Sequence, residues 1–261
     1  MGGGSLNEAS GENAVVGGGD SNLASALDST VAGGYNNNAT RDYATVSGGC
    51  GNDATGAQST VAGGYGNVAS GSAATVPGGS QNLAAGNYSF AAGRRAKSNF
   101  IGAFTWADAT DSDLTNNVSN RFMARASGGV YFYTNAAAST GVRLAAGSGA
   151  WVDLSDRESK EDVTPVDPRE VLDKVVRIPV ATWKYKAEEG NVRHMGPMAQ
   201  DVHAAFGLGD TDKGITTVDA SGIALAAIQG IYQRLQEKDA RITALEKEVE
   251  SLRQMIRQSG R

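Results

Sequence analysis

The stretch Gln58-Ser59-Thr60-Val61-Ala62-Gly63-Gly64 decides the fold of the first part of the chain, because its core also occurs earlier, as Ser29-Thr30-Val31-Ala32-Gly33-Gly34. On both sides of it, glycine pairs recur every fifteen residues, with valine, asparagine and alanine in the same register. The columns are the glycine pairs starting at Gly18, Gly33, Gly48, Gly63 and Gly78, the valines Val16, Val31, Val46, Val61 and Val76, the asparagines Asn22, Asn37, Asn52, Asn67 and Asn82, and the alanines Ala24, Ala39, Ala54, Ala69 and Ala84. Four columns in one register over five copies indicate a repeat array.

A fifteen-residue unit is too short for a helical hairpin and is typical of one coil of a β-solenoid. We expect the valine and alanine columns to face inward, and glycine and asparagine to occupy corners with positive φ. Coils stacked about 4.8 Å apart would make a section about 25 Å long. So thin a coil buries little apolar surface alone, which favours association of several chains. A flexible glycine-rich linker is the alternative, but a linker has no reason to keep valine in register.

The composition limits the classes of function. Glycine makes up 35 of 261 residues with only 5 prolines, which excludes collagen and proline-rich disorder. A net charge of −5 offers no basic field for a nucleic acid. No apolar run reaches the roughly 18 residues of a membrane span, and the single cysteine, Cys50, excludes an intrachain disulfide. No carboxylate, histidine or cysteine cluster has metal-ligand spacing, so we expect no metal and no other cofactor.

Two further sections follow the array. The repeats end at residues 89–96, and we expect the aromatic run Phe104-Thr105-Trp106-Ala107-Asp108 to cap the open core, so that the head spans residues 1–108. Residues 109–153 are predicted to form a β-rich neck, with short strands near residues 121–126, 130–133 and 141–144. From residue 154 the composition changes to a globular α/β mixture. The predicted fold is therefore mixed: a β-solenoid, a β-rich neck and a C-terminal α/β domain over residues 154–261.

The C-terminal domain carries signals for helices and strands. In Asp167-Pro168-Arg169-Glu170, aspartate at the N-cap, proline at N1 and glutamate at N3 predict a helix start. We expect a strand over residues 179–186, and a second helix over residues 197–206 that stops at Gly207. A short strand over residues 215–218 is expected before a final helix capped by Asp219.

That final helix contains a seven-residue repeat, which predicts a coiled coil over residues 220–258. The a positions are Ile228, Leu235, Ile242, Val249 and Ile256, and the d positions are Ile231, Lys238, Leu245 and Leu252. In a parallel, in-register pair, position g of one chain faces the following e of its neighbour. Those pairs are Arg234–Asp239, Arg241–Glu246 and Glu248–Arg253, all opposite in sign. The pattern favours parallel association; its β-branched a positions lean towards two strands and do not establish a trimer. A single helix packed on its own domain is the alternative.

The head repeats, with their Ser-Thr-Val-Ala-Gly-Gly motif, resemble the YadA-type head of trimeric autotransporter adhesins. The C-terminal domain resembles the endosialidase-type intramolecular chaperone of phage tail spikes and fibres. This second resemblance rests on Leu154–Val163, Trp183-Lys184-Tyr185, His194–Val202 and the run from Val218 into the coiled coil, which occur in the family's order. It implies a homotrimer, and a Ser–Lys dyad that cuts its own chain once.

Carried over onto this sequence, the resemblance implies that Ser155 is the nucleophile and Lys160 the base, with cleavage between Leu154 and Ser155. A serine hydroxyl needs a neighbouring base, and a lysine is a base only when burial or neighbours favour its neutral form. Residues five apart diverge by about 140° on an α-helix, so the pair must lie on a turn, or the lysine must come from a neighbouring chain. His194 matches an auxiliary position of the family, although a structural role is the simpler interpretation. A surface serine and lysine in a charged turn are the alternative for the dyad.

These observations predict a trimeric, tail-fibre-like or adhesin-like structural protein whose C-terminal chaperone assembles the homotrimer and then cuts itself off. The alternative is a structural trimerisation module that does not cleave. The location implied by the resemblance is a virion tail fibre, assembled in the cytoplasm, or a bacterial cell surface, with a host or cell-surface receptor as a partner of the head. The first residues match neither a signal peptide nor a myristoylation site, and we expect the chain to be a fragment of a longer protein.

Overall fold

The computed structural model describes residues 3–259 and divides into two compact units, Met1–Leu154 and Ser155–Arg261. Residues 1–2 and 260–261, which the sequence analysis assigns to the head and to the C-terminal domain, lie outside the described residues. The first unit consists of strands and turns, and the second contains all three α-helices of the described residues.

The first unit is a β-solenoid, as the fifteen-residue period predicts. Its strands are β1 (Gly4–Ser5), β2 (Glu8–Ala9), β3 (Val15–Val16), β4 (Gly19–Asp20), β5 (Leu23–Ala24), β6 (Thr30–Val31), β7 (Asn38–Ala39), β8 (Thr45–Val46), β9 (Asp53–Ala54), β10 (Thr60–Val61), β11 (Val68–Ala69), β12 (Thr75–Val76), β13 (Gly79–Ser80), β14 (Leu83–Ala84), β15 (Phe90–Arg94), β16 (Ala96–Ser98), β17 (Phe104–Ala107), β18 (Leu114–Asn116) and β19 (Phe122–Arg125). Two long parallel sheets run along it, one in the order β3-β6-β8-β10-β12-β15-β17-β19 and one in the order β2-β5-β7-β9-β11-β14-β16-β18. Each coil therefore adds one strand to each sheet.

The pairing register reproduces the sequence period. Thr60 is paired with Thr45 on one side and with Thr75 on the other, so neighbouring strands are one repeat apart. The predicted inward columns are confirmed: the valines of the repeat are at most 1% exposed and its alanines are fully buried. Both faces of this narrow core are therefore made of small, uniform side chains, which is why identical coils stack without a change of register.

The asparagine column has a different role from the predicted one. Asn52 is fully buried, and its Nδ2 donates to the carbonyl oxygens of Gly48 and Gly64, each at 2.9 Å. Its Oδ1 accepts from the backbone N–H of Asn67 in the next coil at 3.0 Å. The asparagines thus form a hydrogen-bonded ladder inside the coil and satisfy backbone groups that the corners leave free.

The positive φ values of the corners fall on other residues. Gly49 has φ +90°, and a Cβ there would lie 2.3 Å from the Gly64 carbonyl oxygen, so glycine is required by both conformation and space. Two further corners place non-glycine residues in the left-handed region. They are Leu6, Ser21, Asn36 and Gln81 in one column, and Asn13, Asp28, Tyr43, Gln58, Ala73 and Tyr88 in the other. The expectation that the asparagine column itself takes these corners is therefore wrong.

The solenoid also continues past the aromatic run that was expected to cap it. Phe104 pairs with Phe90 and with Phe122 in the same parallel sheet, so β17 is a further coil and not a cap. The three rings stack, with centroids 4.5 Å and 4.8 Å apart. The parallel sheets extend beyond residue 108, which is the predicted end of the head.

A three-stranded antiparallel sheet follows, in the order β20 (Val130–Tyr133), β21 (Gly141–Leu144) and β22 (Trp151–Asp153). Its aromatic side chains lie at the surface of the described chain: Phe132 is 57% and Trp151 54% exposed. Two of the three predicted neck strands belong to this sheet, and the one near residues 121–126 is β19 of the solenoid.

The second unit contains a 3-10 helix (Arg157–Ser159), α1 (Pro168–Val175), the antiparallel pair β23 (Ala181–Trp183) and β24 (His194–Gly196), α2 (Ala199–Phe206) and the long α3 (Thr217–Ser259). Asp167 caps α1 by accepting from the Arg169 N–H at 2.9 Å, as predicted. Gly207 ends α2 with φ +65°.

The strand expected over residues 215–218 is absent from the described chain, because the Thr216 hydroxyl accepts from the Asp219 N–H at 3.0 Å and starts the helix there. Thr216, and not Asp219, is the cap.

Candidate functional site

The segment that opens the second unit brings a serine and a lysine together. Asp156 caps the 3-10 helix Arg157–Ser159, its carboxylate accepting from the Glu158 N–H at 3.1 Å. The single tight turn that follows returns the chain on itself, and Nζ of Lys160 lies 2.6 Å from Oγ of Ser155. Ser155 and Lys160 lie on either side of the 3-10 helix and not within one α-helix, on which residues five apart diverge by about 140°. The lysine therefore reaches the serine within one chain.

Both side chains of this pair are exposed in the single chain. Nζ of the lysine is the donor in this hydrogen bond, and Oγ of the serine is the acceptor. A general base must instead accept the hydroxyl proton as a neutral amine. The geometry of a nucleophile and a base is thus present, while the water exclusion that favours a neutral lysine would have to come from groups outside the single chain.

The peptide bond between Leu154 and Ser155 lies between secondary-structure elements. β22 ends at Asp153, and the 3-10 helix begins at Arg157. The division of the chain into compact units also falls between these two residues. Cutting this bond would therefore interrupt no helix or strand.

His194 lies in an aromatic cluster and not at the dyad. Its ring stacks on Trp183 with centroids 4.8 Å apart, and Tyr185 lies 5.3 Å from it. Its Nε2 shares a 2.8 Å hydrogen bond with Glu188. Within residues 3–259, no hydrogen bond links it to Ser155 or Lys160. His203, at the end of α2, shares a hydrogen bond with the Leu208 carbonyl oxygen.

The first helix packs on one side of α3. Gly230 is buried beneath the start of α1, and the ion pair between Arg234 and Asp173, at 2.5 Å, joins the two helices. Arg169 binds Gln233 at 3.1 Å and also pairs with Glu237. In the heptad, these α3 residues occupy positions c, f and g. α1 therefore covers the side of α3 that faces away from the a and d positions.

The a and d positions are exposed along α3. Their exposed fractions run from 46% at Val249 to 70% at Ile256. An apolar stripe of this length is rarely left open to water in a stable assembly. One of the predicted interchain partners is already engaged, because Arg234 binds Asp173 of its own chain.

Sequence reasoning missed three residues of this unit: Asp156, Asp173 and Glu188. Asp156 follows Ser155 and precedes a short turn, so its capping signal was readable. Asp173 and Glu188 find their partners 61 and 6 residues away, and charge alone does not single them out among the 28 acidic residues.

The fold and the turn together define a β-solenoid protein with a C-terminal helical domain whose long helix exposes an apolar stripe. Residues 155–208 match the family described as the chaperone of endosialidase. The match covers the Ser155–Lys160 turn, α1, β23, β24 and α2, and it confirms the resemblance expected for the C-terminal domain. It supports a role of this domain in trimer assembly. No curated protein matches the chain.

Two further observations concern the described residues alone. None of the helices within residues 3–259 combines the length and the apolar character needed to cross a bilayer. The same residues hold no group of three or more histidine, cysteine, aspartate or glutamate side chains arranged to bind a metal ion.

Proposed function

We propose that this chain is a trimeric structural protein, tail-fibre-like or adhesin-like, whose C-terminal domain drives homotrimer assembly and then cuts the Leu154–Ser155 bond. The observation that carries this is the 2.6 Å approach of Lys160 to Ser155, next to the junction of the two units. The exposed a and d stripe of α3 supplies the surface along which copies of the chain would associate. The same proposal divides the chain into a solenoid head that continues past the predicted bound at residue 108 to β19, a neck that follows it up to residue 153, and a chaperone domain (154–261).

The cleavage uses one proton acceptor and one water. Neutral Lys160 takes the hydroxyl proton of Ser155, and Oγ attacks the Leu154 carbonyl carbon through a five-membered ring. The C–N bond breaks as the amide nitrogen is protonated, which leaves the Leu154 acyl group on Oγ as an ester. Water then hydrolyses the ester, releasing the Leu154 carboxylate and a new N-terminus at Ser155.

Assembly would switch this chemistry on. In the single chain the pair is exposed to water. Neighbouring protomers that cover the turn would exclude water and shift the lysine towards the neutral base. Cleavage would then follow correct assembly, and removal of the element that aligned the chains would leave the fibre kinetically trapped. Lys160 is within reach in its own chain, although a neighbour's lysine would serve the same chemistry.

Intact-mass spectrometry of the purified chain tests cleavage directly. We expect a fragment that begins at Ser155, and an uncut chain of about 27 kDa for Ser155→Ala and for Lys160→Ala. Lys184→Ala, an exposed lysine of the same unit, is the matched control and should cut normally. Cleavage that persists in both dyad variants would falsify the role of the dyad.

The exposure of the dyad favours a second candidate, a trimerisation module that stays attached. It predicts a trimer by light scattering with an intact Leu154–Ser155 bond.

His194 enters the proposal as an auxiliary residue that acts from a distance, through the position of the β23–β24 pair. The role as tail fibre or surface adhesin, the virion or cell-surface location and a receptor for the head rest on the resemblance of the repeats, and a binding assay of the solenoid on host cells tests them.

A further inference from the structure

One lysine interrupts the apolar stripe of α3. Lys238 occupies a d position between Leu235 and Ile242, and every other a and d residue from 228 to 256 is aliphatic. Its side chain makes no ion pair or hydrogen bond in the described chain, and the same is true of the adjacent Asp239. A single charged residue in a coiled-coil core costs stability and is a known means of specifying register.

The packing of α1 removes the partner that simple pairing rules give to Asp239. In a parallel assembly, Asp239 at position e would face Arg234 at position g of the neighbour. Arg234 is instead held by Asp173 of its own chain, at 2.5 Å. Asp239 therefore enters the interface with an unpaired carboxylate, whereas the Arg241–Glu246 and Glu248–Arg253 pairs keep both members for interchain contact.

Heptad geometry brings this carboxylate to the lysine of the next chain. A d side chain inserts into a hole made by the a, d and e residues of the same heptad and the a residue of the following one. For Lys238 in register, that hole consists of the neighbour's Leu235, Lys238, Asp239 and Ile242. Its ammonium thus meets the neighbour's free carboxylate at the edge of an apolar layer.

We propose that the contact between Lys238 of one chain and Asp239 of the next sets the register in which copies of this chain assemble. The proposal rests on the proposed self-association along α3. A shift by one heptad moves Lys238 either onto Leu245 and Glu246 or onto Ile231 and Tyr232. In a closed assembly, the register shifts between successive chains must sum to zero. A one-heptad shift in one direction therefore requires one in the other direction, and at least one chain then buries its Lys238 ammonium beside Tyr232 of its neighbour, with no carboxylate. Only the in-register ring pairs every lysine.

Disulfide trapping in the full chain measures the register. All variants carry Cys50→Ser, so that only introduced cysteines react. Leu245→Cys places a pair of cysteines opposite one another at position d and forms an interchain disulfide in register. Chains with Leu245→Cys co-expressed with chains that carry Leu252→Cys form a mixed disulfide only after a shift of one heptad. Neither disulfide can form within one chain, because each chain carries a single introduced cysteine.

With Lys238 present, we expect the in-register disulfide alone. Lys238→Leu should raise the shifted product at least tenfold, to a share comparable with the in-register one, while the oligomeric mass stays the same or becomes more stable. Lys247→Leu, an outward-facing lysine of the same helix, is the matched control and should leave the register unchanged. Lys238→Glu should reduce assembly through repulsion by Asp239, and Lys238→Glu with Asp239→Lys should restore it.

Two results overturn the inference and can be told apart. If Lys238→Leu still gives only the in-register product, Lys238 does not set the register, although assembly along α3 stands. If the in-register pair fails to crosslink with Lys238 intact, parallel association along α3 is itself wrong, and the proposed function fails with it.

Discussion

Gly230 of α3 lies directly against Pro168, the first residue of α1: a Cβ at Gly230 would be 2.3 Å from the Pro168 carbonyl oxygen and 3.0 Å from Cβ of Leu172. The absence of a side chain lets the two helix backbones approach closely. Gly222, about two turns nearer the start of α3, has nothing within 4 Å of the place its Cβ would occupy. Close packing therefore requires glycine at position 230, whereas no contact requires it at position 222.

Alanine substitutions at these two positions should act with opposite sign. Gly222→Ala gains about 1 kcal/mol of helix stability because alanine is the better helix former. Gly230→Ala gains the same helix stability, but its Cβ must push α1 away. Overpacking of this kind costs about 1–3 kcal/mol, and the Arg234–Asp173 ion pair is lost as well. Thermal unfolding of the full chain, followed by helical circular dichroism, should show a raised midpoint for the first and a lowered one for the second. Equal shifts would mean that α1 does not pack as described.

The cap of the 3-10 turn should control the rate of self-cleavage. Asp156→Ala removes the hydrogen bond to the Glu158 N–H, and an N-cap is worth roughly 1 kcal/mol. A loss of that size lowers the population of the closed turn about fivefold, and we expect the first-order rate of fragment release to fall by the same factor. Asp156→Asn keeps a capping oxygen and should cleave nearly normally. Glu161→Ala is the control, and an effect as large as that of Asp156→Ala would point to general loss of negative charge instead.

The buried asparagine ladder should be a main source of solenoid stability. Asn52→Ala leaves the carbonyl oxygen of Gly48 and the N–H of Asn67 without partners. It also removes one of two donors from the Gly64 carbonyl oxygen, which keeps the Cys50 N–H at 3.0 Å. Each orphaned buried group costs about 1–3 kcal/mol, so with two such groups we expect a loss of at least about 2 kcal/mol in the free energy of unfolding. Asn38→Ala loses a single bond to Asp53 on a partly exposed face and should cost under about 1 kcal/mol. Urea unfolding measures both, and similar losses would contradict the ladder's role.

Much of the solenoid was predictable because glycine and valine recur along the sequence with its period. The role of Asn52 was not, since asparagine suits both a turn and a buried amide ladder. The left-handed conformation at Tyr43 could not be predicted from the residue type, because tyrosine has no preference for it. The stacking of neighbouring coils of the same chain holds Tyr43 in that conformation. The coils at Phe104 and Phe122 escaped detection because the residue spacing to the preceding coil changes from the regular fifteen there.

The C-terminal unit was predicted in outline from its motifs. The five-residue spacing of Ser155 and Lys160 required a turn, and a 3-10 turn is present. Their exposure could not be predicted from the sequence, because the residue types of a catalytic pair also occur in charged surface turns. The start of α3 was misplaced because Ile215-Thr216-Thr217-Val218 is β-branched throughout and favours a strand, whereas the hydroxyl of Thr216 makes a better helix cap.

Asp108 ties the late coils of the solenoid together and makes them sensitive to acid. Hydrogen bonds from Ser127, Thr110 and Arg125, in that order of size, hold the pKa of its carboxyl well below the usual range. Its Oδ2 accepts from the Ser127 N–H at 2.8 Å, and its Oδ1 from the Arg125 side chain at 2.9 Å. Arg95 likewise lowers the pKa of Asp113. Because both folded pKa values are depressed, these carboxylates stabilise the fold above the unfolded pKa of about 4, and that stability is lost as the pH falls.

We therefore expect the unfolding midpoint of the solenoid to be flat between about pH 7 and 5 and to fall steadily below about pH 4 to 5, where the unfolded chain takes up protons that the folded one resists. Asp108→Asn should lower the midpoint at pH 7 and flatten the acid slope, because the group that resists protonation is gone. Asp42→Asn, on an exposed turn, is the matched control and should leave both unchanged. β-sheet circular dichroism on heating from pH 3 to 7 measures them, and an acid slope that is the same with and without Asp108 would show that this carboxylate is not responsible.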